Sequence, residues 1–264
     1  MKTIFRAAWL ALLLAAPAPA LADALADGAE IHTFHCLHGC PMGAAGTNDL
    51  VVREIYTLSA NDITKMSDWV AYRVTAQTVG SGEDRRWQKD PWLSDDETLK
   101  PSDYDGAPRA LQIDRGHQAP LAALSAPPHG PDTNIMSNIT PQKAALNQSS
   151  WMFLEAAERK LAVEGGKTVY VLTGPLFEAP MPPMPAGPKM HRVPSGYWKV
   201  IAVEEAGVTR VASFLFEQET PRGVNFCTKR MALDEIELRA RLHIFPRLTA
   251  RAFQPLDAAI GCGA

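Results

Sequence analysis

The chain has 264 residues, 46% of them hydrophobic, with 26 lysines and arginines against 29 aspartates and glutamates and a formal net charge of −3 at pH 7. This length suits one domain with a substantial core. The mild acidity argues against a protein that coats nucleic acid through a broad basic surface, because such binding depends on neutralising phosphates with lysine and arginine. It does not exclude an enzyme that holds a few phosphates and then releases them.

The N-terminal segment has the pattern of an export signal. Two cations, Lys2 and Arg6, precede an apolar run that ends at the small-residue site Ala20-Leu21-Ala22. The apolar run is too short to span a bilayer. A buried N-terminal helix is the alternative interpretation.

Cleavage of this segment would define the mature protein. We expect it after Ala22, with Ala26 as a second site, so that residues 1–22 form a signal peptide and residues 23–264 a single domain. The mature protein is then expected to be secreted or periplasmic, without membrane attachment.

Four cysteines occur in the chain, and an even number in an exported protein predicts disulfides. They are Cys36, Cys40, Cys227 and Cys262. Four cysteines allow three connectivities, and we prefer the pairing of sequence neighbours, Cys36 with Cys40 and Cys227 with Cys262. A metal site is the alternative for the first pair, although structural zinc sites usually have tighter or paired ligand spacing. Histidines near that pair are His32, His35 and His38.

β-branched and aromatic residues predict short strands, beginning at 51–58 and 69–74 with a polar connection between them. The turn residues at 204–207 indicate a hairpin. Further strands are predicted at 168–172, 197–203 and 208–216.

Helical periodicity starts at Asn147, where apolar residues recur every three or four positions as far as Leu161, and Gly165-Gly166 marks the end. A second helix is predicted at 233–242. Segments rich in proline, glycine and aspartate are predicted to be ordered loops, and they cover 81–106, 126–132 and 178–194. Long loops often carry function, but no functional motif is recognised at 126–132 or 179–188.

A histidine beside an acid lies near the middle of the chain, in Asp114-Arg115-Gly116-His117. An apolar stretch precedes it, so His117 is expected at the end of a strand. Asp114 could orient or polarise the imidazole for general-base chemistry. The alternative is a hydrogen-bonded pair with a structural role only.

Asn147 and Glu155 are the candidate groups on the first helix. An amide oxygen suits Mg²⁺, which keeps several waters and takes few protein ligands, whereas the alternative for Asn147 is a helix cap. On a straight helix Glu155 would face the same side as Asn147, displaced by about 12 Å along the axis. Its alternative is a surface ion pair with Arg159.

An ordered set of motifs covers nearly all of the mature chain. It includes DRGHQAP at 114–120, SNITPQK at 137–143, LNQ at 146–148 and LE at 154–155. Together these motifs resemble the DNA/RNA non-specific endonuclease family, the ββα-metal nucleases that include endonuclease G, and within it the secreted sugar-nonspecific nucleases of the Serratia type. The likeness extends to TGPL at 173–176, YWKV at 197–200, FLF at 214–216 and the tail at 261–262.

The resemblance implies roles at the matching positions. His117 would be the general base that acts on water, and Asn147 the one direct protein ligand of a hydrated Mg²⁺. Glu155 matches an acidic residue that orients metal-bound water. Since a protonated imidazole is no base, activity is expected to fall as the pH falls through the imidazole range.

Phosphate contacts are implied by the same comparison. Arg85 matches an arginine that stabilises the pentavalent phosphate, with its neighbour Arg86 as the alternative. Arg115 matches a second arginine at the phosphate, and Asn138 a supporting polar residue near it. Arginine is well shaped to hold a pair of phosphate oxygens.

The implied fold is α+β, a central antiparallel β-sheet flanked by helices, with a ββα-metal (His-Me finger) element formed by the strand before His117 and the helix carrying Asn147. Mg²⁺ is the expected cofactor, and Mn²⁺ a substitute because it prefers similar oxygen ligands. DNA and RNA, single- and double-stranded, would be cut with little sequence preference to products carrying 5′-phosphates. Dimers occur in this family, so a homodimer is a further expectation.

Two other functions are considered. A non-catalytic metal- or polyanion-binding module could use the same fold and the cluster at 32–40. An acyl hydrolase around Ser195 is the weaker alternative, because Pro194-Ser195-Gly196 lacks the Gly-x-Ser-x-Gly elbow.

Overall fold

The computed structural model describes residues 31–82, 85–126, 128–248 and 253–263. The expected signal peptide, residues 1–22, and both cleavage sites lie outside the described residues. Within the described ranges, no helix is long and apolar enough to cross a membrane.

Nine strands occur in the described part of the chain. In chain order they are β1 (Asp49–Val52), β2 (Tyr56–Asn61), β3 (Met66–Val74), β4 (Ile113–His117), β5 (Ile139–Lys143), β6 (Val169–Leu176), β7 (Gly196–Glu205), β8 (Val208–Glu217) and β9 (Gln254–Pro255). Seven of these described strands form one sheet in the order β1-β2-β3-β6-β7-β8-β9, whereas β4 and β5 form a separate antiparallel pair. The large sheet is antiparallel except for the short β9, which is parallel to β8.

Helices flank this sheet and connect its strands. They are α1 (Ala107–Leu111), α2 (Leu121–Leu124), α3 (Ala144–Leu146), α4 (Met152–Val163) and α5 (Leu233–Ala240), with a π-helical turn at Asn147–Trp151 and 3₁₀ turns at Pro101–Tyr104, Gly130–Asn134, Met136–Asn138 and Phe226–Lys229. The predicted α+β class, with a central antiparallel sheet flanked by helices, is confirmed.

Side-chain alternation along the strands gives the sheet two buried faces. On β7, Tyr197 and Ile201 pack in one hydrophobic cluster with Trp151 and Leu154 of the α4 region. Trp198 and Val200 pack in the other with Ile236 of α5, together with aliphatic residues near the C-terminus. The sheet is therefore the middle layer between α4 and α5.

The predicted single strand at 51–58 is wrong, because the chain reverses within it. Val51 on β1 pairs with Leu58 on β2, and the Arg53 backbone N–H donates to the Tyr56 carbonyl at 2.8 Å. The Arg53 side chain is buried and forms an ion pair with Asp90, Nη2 to Oδ1 2.7 Å. This distant partner stabilises the reversal.

The other predicted strands correspond to β3, β6, β7 and β8, although the prediction at 168–172 begins one residue before β6, and the predicted hairpin joins β7 to β8. Ala206 and Gly207 have φ of 50° and 76°, the left-handed conformation of a two-residue hairpin turn. The predicted helix at 233–242 corresponds to α5, which ends at Ala240. The next residue, Arg241, caps it with a φ of 56°.

Both predicted disulfides are present, Cys36 with Cys40 and Cys227 with Cys262. The first pair lies in the hydrophobic cluster on the α5 side of the sheet. Because both thiols are bonded to each other, the metal alternative for this cluster loses its two cysteine ligands. His35 is buried, with Nδ1 2.9 Å from the Thr57 hydroxyl and Nε2 3.0 Å from the Glu54 carbonyl.

Candidate active site

The pair β4 and β5, followed at once by α3, forms a compact ββα unit. Its register aligns Gly116 with Thr140 and His117 with Ile139. The Gln142 side chain lies directly over Gly116, where an added Cβ would be 2.6 Å from the Gln142 Oε1. Glycine is therefore required here by the close approach of the two strands.

A kink separates Asn147 from Glu155. Ser149 has φ −139° and ψ −106°, which breaks the helix between α3 and α4. Two hydrogen bonds stabilise the break, from the Gly223 N–H to the Ser149 Oγ at 2.8 Å and from the Ser150 Oγ to the Val224 carbonyl at 2.6 Å. The helix is therefore not straight, and the condition on which the axial distance of about 12 Å was calculated is not met.

The ββα unit and the kinked segment line one cavity of about 410 Å³. Five of the residues selected from the sequence line it: His117, Asn147, Glu155, Arg85 and Arg115. Asp114, which the sequence offered as a partner of His117, also lines it, and residues that the sequence interpretation did not assign to the site complete the lining: Trp87, Pro108, Gln148 and Met152.

Hydrogen bonding determines which nitrogen of His117 can act as a base. The Nε2 atom lies 3.0 Å from the Asn134 amide oxygen, which can only accept, so Nε2 carries the hydrogen and Nδ1 has the lone pair. Burial lowers the pKa of His117 to about 4, aided by the positive charge of Arg85, although the bond to Asn134 opposes the shift. The Trp87 ring lies against the imidazole, with ring centroids 5.3 Å apart.

Asp114 does not contact His117 as expected but orients Asn147. The Asp114 Oδ2 accepts from the Asn147 Nδ2 at 2.9 Å and from the Gln148 Nε2 at 2.8 Å. Asn147 itself has helical φ −56° and ψ −47°, follows α3 and begins the π-helical turn, so it is not an N-cap residue. Because its N–H group bonds to Asp114, its amide oxygen is the atom left to the cavity.

This donor set fits a hard divalent cation. The Asn147 amide oxygen and the carboxylates of Asp114 and Glu155 line the same cavity, and oxygen atoms are the ligands that Mg²⁺ takes. Among the described residues, the one group of three close acidic or metal-binding side chains is Asp49, Asp62 and Glu97. None of those three lines the cavity.

Glu155 faces inward rather than toward a surface partner. Its side chain is 14% exposed, and the Lys199 Nζ lies 3.9 Å from its Oε1. Burial raises the pKa of Glu155 to about 7, against the opposing charge of Lys199, while the carboxylate of Glu158 adds to the rise. The alternative of a surface ion pair with Arg159 is therefore not what forms, and Glu155 instead contacts a buried lysine.

The arginines differ in how firmly they are bound. Arg115 donates from Nη2 to the Pro101 carbonyl at 2.8 Å and lies over the Tyr104 ring, 5.2 Å from its centroid. Arg85 is exposed and lines the cavity, whereas Arg86 is not among the lining residues. The geometry thus favours Arg85 over Arg86.

Asn138 lies behind the cavity rather than in it. It is fully buried. Its Oδ1 accepts from the Ala119 N–H at 2.8 Å, and its Nδ2 donates to the carbonyls of Ala119 and Thr133 at 2.9 and 2.8 Å. These bonds tie the segment after His117 to the turn that carries Asn134.

Sequence reasoning missed the two direct neighbours of the imidazole. In the sequence, nothing distinguishes Trp87 from the other residues of its predicted polar loop. Asn134 follows a segment without a recognisable motif. Lys199 is part of a motif that matches the family, but nothing in the sequence indicates that a lysine there would be buried beside Glu155.

Sequence comparisons with known proteins identify related nucleases. The family model for DNA/RNA non-specific endonucleases matches residues 39–251. A nuclease of Serratia marcescens is 47% identical over 229 residues, which cover 86% of this chain and 85% of that protein. Human mitochondrial endonuclease G is 31% identical over 180 residues, covering 62% of this chain and 58% of its own length.

A solved structure supports the fold. A chain in the crystal structure of the EndoG/EndoGI complex aligns with a TM-score of 0.68 at 23% identity, covering 80% of this chain and 91% of that one. Together with the family match and the identity to the Serratia marcescens nuclease, this leads to one conclusion. The chain belongs to the DNA/RNA non-specific endonuclease family.

Proposed function

We propose that this nuclease is an exported, Mg²⁺-dependent endonuclease that hydrolyses DNA and RNA, single- and double-stranded, to products carrying 5′-phosphates. The observation that carries the proposal is the arrangement of His117, Asn147 and Arg85 around one cavity. It provides a base, an oxygen ligand for a cation, and a positive charge for the phosphate.

His117 acts through Nδ1. The neutral imidazole takes a proton from a water molecule, whose oxygen bonds to phosphorus as the bond from phosphorus to the 3′ oxygen breaks. The leaving 3′ oxygen takes a proton from water, so the phosphate remains on the 5′ side. Because water is the nucleophile, no ribose 2′-hydroxyl is needed, which is why both DNA and RNA are expected substrates.

Asn147 is the residue that would hold the cation, with Asp114 fixing its amide. A bound Mg²⁺ supplies positive charge for the phosphoryl oxygens and lowers the pKa of its waters. Glu155, at the edge of the same cavity, accepts hydrogen bonds from water and fixes its orientation. Asp114 and Glu155 thus act by orienting groups in the cavity.

The arginines bind and stabilise the substrate phosphate. Arg85 is exposed and lines the cavity, whereas Arg115 is held by the Pro101 carbonyl and lies over two aromatic rings. Preorganised charge of this kind stabilises a transition state effectively. Groups aimed at base edges are not needed for this chemistry, so little sequence preference is expected.

One assay tests the proposal. The protein is incubated with plasmid DNA, single-stranded DNA and RNA, each with Mg²⁺, with Mn²⁺ or with chelator, and product ends are mapped by their sensitivity to phosphatase. Cleavage of all three substrates, loss with chelator, and 5′-phosphates are expected. His117→Ala is expected to reduce the rate by several orders of magnitude while leaving the melting curve unchanged.

Two results would contradict the proposal. Cleavage that chelator does not reduce would contradict the role of the cation, and undiminished activity of His117→Ala would contradict the role of His117 as the base.

Export is tested separately, by N-terminal sequencing of the protein recovered from the periplasm and the medium. An N-terminus at Asp23 is expected, and an intact N-terminus would reject export by this signal.

A further inference from the structure

Lys199 is a buried cation that has no part in the mechanism above. It lies on β7 with a fully buried side chain. Its Nζ is 2.9 Å from the Glu158 Oε1, 3.0 Å from the Tyr72 hydroxyl and 3.9 Å from the Glu155 Oε1. The same ammonium lies over the Trp151 ring, 4.4 Å from its centroid.

The charges around Lys199 are unequal. One ammonium faces two carboxylates, of which Glu158 is fully buried and also accepts a hydrogen bond from the Tyr72 hydroxyl at 2.8 Å. Glu155 is 14% exposed at the cavity, and the Lys199 charge stabilises its ionised form more than Arg159 or the Trp151 side chain does. A buried charge is costly unless it is paired, so the ammonium is the main compensation for both acids.

We infer that Lys199 is a positioning residue for the proposed nuclease reaction, whose ammonium holds the Glu155 carboxylate ionised and directed at the cavity. This inference rests on the proposed function, in which Glu155 orients water. Lys199 touches neither substrate nor cation and acts only through Glu155. Glu158 and Tyr72 in turn hold the ammonium in place.

The electrostatics of Glu155 agree with this geometry. Burial raises its pKa to about 7, and the charge of Lys199 is the largest influence that lowers it. Without the ammonium the carboxyl would therefore be protonated at still higher pH. Other charged or titratable groups that face Glu155 are Glu158 and Arg159 on its own helix and, across the cavity, Asp114, His117, Arg85 and Arg115.

A matched pair of variants isolates the ammonium. Lys199→Met alone would leave the buried Glu158 without its cation and is expected to destabilise the fold, so Glu158→Gln serves as the reference. In Glu158→Gln the lysine still faces Glu155. In Glu158→Gln/Lys199→Met no ammonium faces Glu155. Glu155 is then the one carboxylate of the pair that remains beside the substituted position.

We expect the second variant to have a kcat at pH 7 up to about fivefold below the first, with a smaller change in KM, since a rise of one unit from a pKa of about 7 lowers the ionised fraction of Glu155 at pH 7 from about one half to about one tenth. Both should melt cooperatively. Tyr72→Phe removes a hydrogen bond to Lys199 but no charge, so it should lower stability and change kcat less than the loss of the ammonium does.

Adding Glu155→Gln to both members of the pair distinguishes positioning from a structural role. If Lys199 acts through Glu155, the two kcat values become equal once the carboxylate is gone. If the difference in kcat persists, the inference is overturned. It is also overturned if Glu155→Gln alone leaves kcat unchanged.

A direct titration gives a readout that does not depend on activity. The Glu155 carboxyl is followed by carbon NMR in Glu158→Gln and in Glu158→Gln/Lys199→Met, both without added metal. Its pKa should be higher in the second variant, where Lys199 is replaced. Equal values would overturn the inference. If the wild-type protein fails to cleave nucleic acid at all, the proposed function fails, while the titration still tests the contact between Lys199 and Glu155.

Discussion

A single amide, that of Asn134, determines the chemistry available to His117. By accepting the hydrogen on Nε2, it leaves Nδ1 unprotonated, and burial lowers the imidazole pKa to about 4. A base with this pKa remains neutral throughout the range from pH 5 to 8. The expectation that activity falls through the ordinary imidazole range therefore no longer follows for His117.

The pH dependence between 5 and 8 should instead come from Glu155. Its pKa is raised to about 7 by burial, and a divalent cation nearby would lower it, so the acidic limb is expected at or below pH 7. As the pH falls through this value, Glu155 gains a proton and activity drops. In Glu155→Gln, kcat should be lower and this limb absent, leaving a fall only near pH 4.

The measurement is kcat from pH 4 to 8 at constant ionic strength. A limb that survives in Glu155→Gln would show that another group titrates. The melting temperature at each pH serves as the control for unfolding.

At the scale of the element, the ββα unit depends on the contact between Gly116 and Gln142. A Cβ at Gly116 would be 2.6 Å from the Gln142 Oε1 and 2.8 Å from its Cβ. Gly116→Ala should separate β4 from β5, lower the free energy of unfolding by about 1–3 kcal/mol and reduce kcat, because His117 ends β4.

Gly46→Ala is the matched control, since nothing lies within 4 Å of its added Cβ. It should change the free energy of unfolding by less than about 0.5 kcal/mol. Urea unfolding and cleavage rates are measured on both variants. Equal effects of the two substitutions would contradict the assigned contact.

Local pattern predicted most elements, and long-range contacts explain what it missed. The hairpin at Ala206-Gly207 and the strands beside it follow from turn chemistry and alternation. The reversal at Arg53 depends on its ion pair with Asp90, 37 residues away, and interrupts an apparently continuous strand. No proline or glycine lies at the kink at Ser149, so the local sequence does not predict it. The kink is stabilised by hydrogen bonds with the distant residues Gly223 and Val224.

The same distinction applies to the site. Asp114 was recognised as important from its position beside His117, but its partner is Asn147, 33 residues away. Asn138 has a motif position yet binds only backbone groups around Ala119 and Thr133. Lys199 lies on another strand altogether, so only the folded sheet brings it to Glu155.

For the whole molecule, the disulfide between Cys227 and Cys262 ties the last described residues to the body. It closes a loop with a sequence separation of 35 residues, so replacing both cysteines by alanine should cost on the order of 3 kcal/mol in the chain-entropy model. The same change at Cys36 and Cys40, with a separation of 4, removes less loop entropy. Chemical denaturation of both double variants measures the difference.

Cleavage rates below the unfolding transition should be the same as wild type for Cys227→Ala/Cys262→Ala, because neither cysteine lines the cavity. Reduced activity in a fully folded variant would contradict a purely stabilising role. Equal losses of stability in the two double variants would contradict the loop-length argument.

Global stability should also fall in mild acid because His35 is buried. Its pKa is lowered from 6.5 to about 4 by burial. The unfolded chain therefore gains a proton below about pH 6.5, whereas the folded chain resists it until about pH 4, so stability decreases across this window as the pH falls. The contribution amounts to about 3 kcal/mol at most.

His35→Gln removes this titration. The variant should be less stable than wild type at pH 7, but its free energy of unfolding should decline less steeply from pH 6.5 to 4. Parallel pH curves for the two proteins would show that His35 is not the source. His117, with a similarly lowered pKa, contributes in the same direction to both.

The contact between Trp87 and His117 allows the protonation of the imidazole to be followed by tryptophan fluorescence. An imidazolium quenches indole emission on contact, and the two ring centroids are 5.3 Å apart. The fluorescence difference between the wild-type protein and Trp87→Phe thus follows the protonation of His117 directly. A fluorimeter can therefore read the ionisation of this one side chain in unlabelled protein, with no nucleic acid present.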